Sequence, residues 1–349
     1  MTWYTQPADA PSQLHRDAAL AHQNQLTKPP GSLGELEKIA ITLAALQHTK
    51  TPKCEQISID IFAADHGIAD EGVSAFPQEV TTQMVLNFAH GGAAISVLAN
   101  ALNAKLCVTN VGSKTPIPDT PKVIDARIAD GTHNFAKHPA MSAKQLELAL
   151  KAGFDAIARA KEHQADLWVG GEMGIANTTS ATALGCALLN VPAEQLTGPG
   201  TGLNKEGLLH KAAVIDGALA FHNADSLNTI EKLQTFGGFE IAALSGAYIA
   251  AAQAGIPALV DGFICTVAAR YAIALNPSVQ PWLLLSHQSA EPGHQPLFDA
   301  FQQAPLIDLK LRLGEASGAA TAVPLIRLAC ELHNKMATFA EAGVSGAGN

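Results

Sequence analysis

Short runs rich in aliphatic and β-branched residues alternate with longer helical patterns along most of this chain. The strand-like runs cover residues 56–65, 105–112, 166–171, 256–262 and 282–287. Such alternation is typical of a parallel sheet whose strands are joined by crossover helices. Several runs end in Gly, Asp, Ser or His, and open parallel sheets bind their ligands at the carboxyl ends of the strands. The sequence therefore predicts a ligand site along that edge of the sheet.

Helices are predicted over 33–48, 78–100, 142–163, 177–189, 205–223, 239–254 and 316–334. The expected fold class is α/β, a three-layer Rossmann-like parallel sheet with flanking helices. We expect residues 1–50 and 316–349 to form a small helical subdomain, and residues 51–315 to form the large parallel-sheet domain. The glycine-rich end, 343–349, is expected to fray.

Charge and composition restrict the class of ligand. The 349 residues carry a formal charge of -9 without any basic run, which predicts no nucleic acid and no anionic membrane as partner. The most apolar stretch, 241–252, is too short to span a membrane and is predicted to be a buried helix. The N-terminus lacks an apolar signal region, and the five cysteines are scattered singly. We therefore expect a reduced, cytoplasmic protein that binds a small molecule.

A glycine-rich turn joins the predicted strand 166–171 to the predicted helix 177–189. In GGEMGIANTT (170–179), backbone N–H groups and the helix dipole would face the loop mouth, which suits a phosphate or a carboxylate. The alternative is a turn in which Asn177 and Thr178 only cap the helix. Glu172 favours the first interpretation, because a carboxylate in an anion-binding turn is unfavourable unless it has a separate task. The predicted ligand-binding residues are Gly174, Ile175, Ala176, Asn177 and Thr178.

A second glycine cluster, GPGTGLNK (198–205), precedes the predicted helix 205–223. Gly200 and Gly202 are predicted to share a phosphate with the first loop, and Lys211 to supply positive charge. The GxGxG spacing lacks the third glycine and the leading strand of a dinucleotide-binding fingerprint. An ordinary solvated lysine is the alternative for Lys211.

The frame RLGEASGAA (312–320) places Glu315 where the last long helix begins. Glycines on either side let the backbone approach a ligand closely, and the small residues that follow leave room for a flat ring. We predict that Glu315 acts as a general base, with Glu172 as its partner carboxylate.

The segment 64–84 follows the first predicted strand and contains two candidates for an aromatic slot, Phe76 and Met84. Such residues near the start of a helix are usually core packing, which is the alternative. Asp65 and His66 are not accompanied by a nucleophile motif, so hydrogen bonding within a turn is the favoured interpretation of this pair.

His287 and His294 lie in the loop-like segment SHQSAEPGH, with Glu291 between them. No helical spacing fixes the geometry of these side chains, so no metal site is predicted.

Seven motifs, in one order along the chain, resemble those of the nicotinate-nucleotide:5,6-dimethylbenzimidazole phosphoribosyltransferase family. They are KPPGSLGELE (28–37), ADHGIADEGVSAFPQEVT (64–81), GGEMGIANTT (170–179), GGFEIAALSG (237–246), VDGF (260–263), SHQSAEPG (286–293) and RLGEASGAA (312–320). Each motif alone is modest, but seven in register are highly specific.

The resemblance implies a homodimer that transfers phosphoribose from nicotinate mononucleotide to a benzimidazole nitrogen and releases nicotinate, without a cofactor. It implies that Glu315 is the catalytic base, that Glu172 and Lys211 are important to the site, and that the loop 174–179 binds phosphate. It places Ser289 near the nicotinate. It assigns the walls of the base pocket to Phe76, Met84 and Leu313.

Three alternatives stay open at the level of sequence. The first is another acceptor within the family, a different benzimidazole, a purine or a phenol, since an apolar slot discriminates a missing methyl group by only ~1–3 kcal/mol. The second, a nicotinamide-dependent oxidoreductase, would require the dinucleotide fingerprint that the chain lacks. The third, a non-catalytic nucleotide sensor, would retain the phosphate loops but would not require Glu315.

Overall fold

Six parallel strands form one sheet in the order β3-β2-β1-β4-β5-β6. The computed structural model describes residues 2–200, 202–301 and 303–345. The strands are β1 (Ile57–Ala64), β2 (Lys105–Gly112), β3 (Val123–Asp125), β4 (Leu167–Met173), β5 (Ala258–Val260) and β6 (Leu283–Leu285). All five predicted strands are present, and β3 was not predicted. The order reverses between β1 and β4, and a parallel sheet opens a crevice for ligands at such a point.

The helices, in chain order, cover both faces of the sheet. They are α1 (Gln13–Gln23), α2 (Glu35–Leu46), α3 (Glu79–His90), α4 (Ala94–Ala101), α5 (Ala143–Glu162), α6 (Asn177–Leu189), α7 (Lys205–Phe221), α8 (Thr229–Phe236), α9 (Phe239–Ala254), α10 (Phe263–Leu275), α11 (His294–Phe298), α12 (Ser317–Lys335) and α13 (Phe339–Ala342). The predicted three-layer α/β architecture is confirmed.

The central strand β1 shows how the two faces are divided. It is buried along its whole length, as expected for a strand covered on both sides. Ile59 and Ile61 belong to the core that contains α2 and α12. Phe62 belongs to the core that contains α5, α9 and α10. The predicted buried helix over 241–252 is the middle of α9, which lies in this second core.

The single helix predicted over 78–100 is wrong, because the structure divides it into α3 and α4. Gly91 adopts a left-handed conformation, with φ of 88°, directly after α3. Glycine reaches that region at little cost, and it commonly ends a helix there. Taken together, Glu79–Ala101 is long and apolar enough to cross a membrane by length and composition, and a third of its most apolar window is buried. Each of the two helices is shorter than the roughly 20 residues that a span requires.

Segments from both ends of the chain meet on one face of the sheet. Helix α2 packs against α1 and α12. The N-terminal segment is also joined to the C-terminal one by a bridge between Leu26 and Thr338. The proposed division into a small subdomain (1–50 with 316–349) and a large domain (51–315) stays a prediction. Of the predicted frayed end, residues 346–349 lie outside the described residues.

Candidate active site

A cavity of about 740 Å³ opens at the carboxyl ends of the central strands. It lies where the strand order reverses, between the loops that follow β1, β4, β5 and β6. Twelve of the predicted site residues line this cavity: Phe76, Met84, Glu172, Gly174, Ile175, Asn177, Thr178, Gly200, Gly202, Ser289, Leu313 and Glu315. The two that do not line it, Ala176 and Lys211, are buried directly behind it. Residues far apart in sequence therefore form one site.

Glu172 is a buried carboxylate near the end of β4, with 5% of its surface exposed. The side-chain amide of Asn177 donates a hydrogen bond to its Oε2. Burial, and after it the negative charges of Glu240, Asp261 and Glu315, raises the pKa of Glu172 to about 8. At neutral pH, this environment therefore favours the protonated form of Glu172.

Glu315 lies in a strained turn before α12. Gly314, Glu315 and Ala316 all have positive φ angles, of 81°, 59° and 60°. For the two residues that are not glycine, this conformation costs roughly 1–3 kcal/mol each. A Cβ on Gly314 would lie 2.6 Å from Oε1 of Glu172, so any larger residue would displace that carboxylate. The turn brings the two glutamates together.

The pKa of Glu315 is raised to about 7, first by burial and then by the negative charge of Asp261. A general base is most effective when its pKa lies near the working pH. The environment of Glu315 therefore suits a group that accepts a proton at neutral pH.

A carboxylate from another part of the chain binds the first turn of α12. Asp261, the residue after β5, accepts a hydrogen bond from the backbone N–H of Ala319 at 2.8 Å. His287, two residues after β6, lies beside it, with Nε2 at 3.4 Å from Oδ1 of Asp261. The ring of His287 packs against Gly318, where any side chain would overlap it. The start of α12 is thus attached to the ends of β5 and β6.

The first turn of α6 is arranged differently. Ala176 precedes the helix in a left-handed conformation, with φ of 73°. The N–H of Ile175 donates to Oγ1 of Thr81 at 3.1 Å, and the N–H of Asn177 to the carbonyl oxygen of Gly174. Among the described residues, the N–H groups of Ala176 and Thr178 have no acceptor. These two amides are available to an anionic ligand.

Lys211 is a buried cation beside this turn. Only 1% of its surface is exposed. Its Nζ donates to Oγ1 of Thr178 at 2.8 Å and to the carbonyl oxygen of Gly198 at 3.4 Å. Within the described residues, no carboxylate lies at ion-pair distance from it. Burial lowers the pKa of Lys211 to about 8, although the more distant Glu291 opposes the shift. A buried ammonium group with only neutral acceptors is suited to bind an anion.

The opposite wall of the cavity is apolar. Phe76 is 51% exposed and Leu313 is 59% exposed. Both line the cavity together with Val80 and the partly buried Met84 on α3. Apolar side chains of this kind bind the faces of a flat ring.

Asp65 and His66 support the site from behind. Asp65 accepts hydrogen bonds from Oγ1 of Thr81 at 2.7 Å and from the backbone N–H of Lys114 at 2.8 Å. His66 contacts Oε1 of Glu240 at 2.7 Å and Oγ of Ser180 at 2.9 Å. These contacts connect the end of β1 to α3, α6 and α9, so the bonding extends well beyond the turn that the sequence predicted.

His294 has both ring nitrogens engaged within the protein. The N–H of Ser289 donates to Nδ1 at 3.0 Å, so Nε2 carries the proton and donates to Oγ1 of Thr266 at 3.0 Å. Burial lowers the pKa of His294 to about 4. In the described part of the chain, no group of three or more His, Cys, Asp or Glu residues is arranged to hold a metal ion.

Comparison with known proteins identifies the family. A phosphoribosyltransferase family profile matches residues 8–344. The nicotinate-nucleotide–dimethylbenzimidazole phosphoribosyltransferase of Pseudomonas syringae pv. syringae (strain B728a) is 57% identical over 344 residues, which is 99% of this chain and 98% of that protein. The corresponding protein of Xanthomonas euvesicatoria pv. vesicatoria (strain 85-10) is 58% identical over 345 residues, which is 99% of each chain.

The crystal structure of CobT from Thermus thermophilus superposes with a TM-score of 0.92 at 43% sequence identity. The match covers 96% of this chain and 100% of that one. The chain belongs to the nicotinate-nucleotide–dimethylbenzimidazole phosphoribosyltransferase family. The resemblance inferred from the seven motifs is thereby confirmed, and the chain is an enzyme of the glycosyltransferase type.

Six charged or titratable residues of this phosphoribosyltransferase site were not predicted. Asp261, Cys265, His287, Glu291, Lys310 and Arg312 also line the cavity. Asp261 and His287 lie at the carboxyl ends of the predicted strands 256–262 and 282–287, so their position at strand ends was the available signal. Burial raises the pKa of Glu291, while Lys211 and Arg312 oppose the shift. The charge of Glu291 therefore lies within electrostatic range of both Lys211 and Arg312.

Proposed function

We propose that this enzyme transfers the 5-phosphoribosyl group of nicotinate mononucleotide to 5,6-dimethylbenzimidazole. The products are nicotinate and α-ribazole 5'-phosphate, for assembly of the nucleotide loop of cobalamin. The observation that carries the proposal is one cavity that has a raised-pKa carboxylate, Glu315, and, among the described residues, a buried cation without a counterion, Lys211. The named relatives support the same pair of substrates.

The leaving group of this reaction requires little assistance from the enzyme. In nicotinate mononucleotide the ring nitrogen is cationic, so the electron pair of the C1'–N bond returns to it and a neutral pyridine ring departs. One benzimidazole nitrogen attacks C1' from the opposite face, and the other loses its proton to Glu315. General-base assistance is typically worth about 10²–10⁴-fold, so the positioning of both substrates supplies much of the remaining acceleration.

The phosphate is assigned to the start of α6. The N–H groups of Ala176 and Thr178 would donate to its oxygens, and Lys211 would supply the balancing charge. Gly200 approaches the same place, because a Cβ there would lie 3.5 Å from Nζ of Lys211. Gly174, Ile175, Asn177 and Gly202 complete the nucleotide loops, and Ser289 lies on the nicotinate side. Phe76, Met84 and Leu313 are assigned to the faces of the acceptor ring.

Glu172 is proposed to respond to the positive charge of the substrate. Its environment favours the protonated form at neutral pH, because its pKa is about 8. A pyridinium ring or an oxocarbenium-like ribosyl group nearby favours the ionised carboxylate. Glu172→Gln, which cannot ionise, is therefore expected to reduce kcat, and an unchanged kcat would exclude this role.

The decisive experiment measures nicotinate release from nicotinate mononucleotide and 5,6-dimethylbenzimidazole by wild type, Glu315→Gln and Glu162→Gln. Glu162 is an exposed glutamate at the end of α5 and serves as the control. We expect release by wild type and by the control, and a fall in kcat of about 10²–10⁴-fold in Glu315→Gln. Equal rates in all three would exclude Glu315 as the base.

The acceptor is tested in the same assay with a panel of benzimidazoles, purines and phenols. Faster release with one of these than with 5,6-dimethylbenzimidazole would assign that compound as the acceptor. No release with any acceptor, combined with tight binding of the nucleotide, would indicate a nucleotide sensor instead.

A homodimer in the cytoplasm is proposed as the working form. Phe76, Leu309 and Leu313 are each more than half exposed, and a second copy of the chain that covered them would remove apolar surface from water. Sedimentation equilibrium at assay concentrations is expected to give twice the mass of one chain. A monomer with full activity would contradict the dimer.

A further inference from the structure

Asp261 is a buried carboxylate of this site to which no step of the reaction has been assigned. It follows β5 directly, and 2% of its surface is exposed. A buried charge is costly unless it is paired or hydrogen-bonded. Its partners are the backbone N–H of Ala319 at 2.8 Å and the ring of His287 at 3.4 Å.

Both partners hold the start of α12, which immediately follows the strained turn that carries Glu315. Ala319 is in the first turn of the helix, and His287 packs its ring against Gly318 in the same turn. The carboxylate also complements the partial positive charge at a helix N-terminus. Asp261 thus connects the end of the sheet to the helix whose position determines where Glu315 lies.

The turn itself cannot hold its conformation by local preference. Gly314, Glu315 and Ala316 have three successive positive φ angles. Residues other than glycine disfavour this left-handed conformation. Such conformations persist only where the surrounding structure imposes them. On the helix side of the turn, the N–H of Ser317 bonds to the carbonyl oxygen of Gly314, and the backbone N–H of Ala319 bonds to Asp261.

We propose that Asp261 is a positioning residue for Glu315, because its carboxylate fixes the first turn of α12 and so keeps the strained turn in the conformation that presents Glu315 to the cavity. The inference rests on the proposed function, in which Glu315 is the base. It adds a residue that acts through Glu315 on the proton-transfer step.

Two substitutions separate the hydrogen bond from the charge. Asp261→Asn retains a side-chain oxygen that accepts the N–H of Ala319, but it removes the negative charge. Asp261→Ala removes both. Asp60→Asn is the matched control, since Asp60 is a buried, hydrogen-bonded aspartate on β1 that does not line the cavity.

The first readout is independent of activity. Hydrogen exchange of the peptide that covers 312–322 is expected to be slow in wild type, Asp261→Asn and Asp60→Asn, and faster in Asp261→Ala. Equal exchange in wild type and Asp261→Ala would overturn the proposal, whether or not the proposed reaction is correct.

The second readout is the division between kcat and KM. In Asp261→Ala we expect kcat to fall by about 10²-fold, the effect of a small displacement of a reacting group, with the KM for nicotinate mononucleotide changed by less than about threefold. A larger change in KM than in kcat would show instead that Asp261 binds the substrate directly. If wild type itself releases no nicotinate, the proposed function fails, and the exchange experiment alone decides the role of Asp261.

The third readout is the pH profile of Asp261→Asn. The charged groups that act on Glu315 are Asp261 after β5 and Glu172 from β4. Behind them, Glu240 from α9 acts on Glu172, and His287 after β6 contacts Asp261. The charge of Asp261 raises the pKa of Glu315, so its removal lowers that pKa. The base then stays ionised at lower pH, and the acid limb of kcat is expected to move to lower pH. An acid limb at the same pH in wild type, Asp261→Asn and Asp60→Asn would contradict the proposed effect of Asp261 on Glu315.

Discussion

Helices α6 and α12 begin at the same cavity in nearly the same way, but their N-termini have different partners. Each is preceded by an alanine in the left-handed conformation, Ala176 for α6 and Ala316 for α12. A glutamate of the site lies close before each helix: Glu172 near the end of β4, and Glu315 in the turn before α12. At α12, the protein itself supplies an anion, the carboxylate of Asp261. At α6, the corresponding N–H group, that of Thr179, bonds instead to the carbonyl oxygen of Ala176.

The difference shows how one type of turn serves two purposes. A helix N-terminus attracts negative charge. Where a carboxylate of the protein already binds it, the helix is fixed in place and can hold a strained turn that carries the base. Where the described residues supply no carboxylate and a buried lysine lies beside it, the same feature is available to a phosphate. The assignment of base and phosphate sites thus depends on the partner of each helix end, not on the turn itself.

The largest effect in a test of this comparison is expected from Lys211→Met, which removes the cation beside α6 and changes no residue of α12. Hydrogen bonds to charged groups contribute about 1.5–3 kcal/mol, so we expect the KM for nicotinate mononucleotide to rise about 10–100-fold. At saturating nucleotide, kcat is expected to stay within a few fold of wild type. Lys205→Met, at an exposed position on the same helix, is the control and should change neither value. A fall in kcat as large as that of Glu315→Gln would show that the two helix ends do not have separate roles.

A smaller effect is expected from Thr81→Val, which disturbs the turn of α6 without removing a charge. Oγ1 of Thr81 accepts the N–H of Ile175 and donates to Asp65, so valine leaves both groups without this partner. We expect the KM for nicotinate mononucleotide to rise roughly 10-fold, with the pH profile that reports Glu315 unchanged. Thr81→Ser retains the hydroxyl group and should remain close to wild type. A shift of the pH profile in Thr81→Val, but not in Thr81→Ser, would mean that the two turns are coupled.

The turn of α6 was predictable from sequence because the residues that form it are neighbours in the chain. The glycines, Asn177 and the helix 177–189 are contiguous, and the helix has the predicted bounds. Lys211 was also predicted, but its burial was not, because an isolated lysine in a helical pattern is usually solvated.

The carboxylate at α12 was not predictable, because Asp261 lies 58 residues before its partner Ala319. Only the parallel arrangement of β5 and the packing of α12 on the sheet bring the two together. The same limit applies to β3, a strand of three residues at the edge of the sheet, and to the division between α3 and α4. In each case a contact distant in sequence, or one glycine conformation, overrides the local pattern.

The smallest effect, and the one most specific to α12, is the pH dependence of stability. The pKa of Glu315 is raised from 4.5 to about 7, so the folded protein holds this proton more tightly than the unfolded chain does. The free energy of unfolding therefore falls as pH rises from about 4.5 to about 7, and the loss is complete above that range. Glutamine cannot ionise, so the free energy of unfolding of Glu315→Gln does not fall in this way. We expect it to be more stable than wild type by about 1–3 kcal/mol at pH ~8, or about 1–4 °C in Tm, and no more stable at pH ~4.5. Glu162→Gln should follow wild type at both pH values. A stability difference that does not depend on pH would mean that Glu315 is not held in an environment that disfavours its charge, and the contrast between the two helix ends would then rest on their backbone contacts alone.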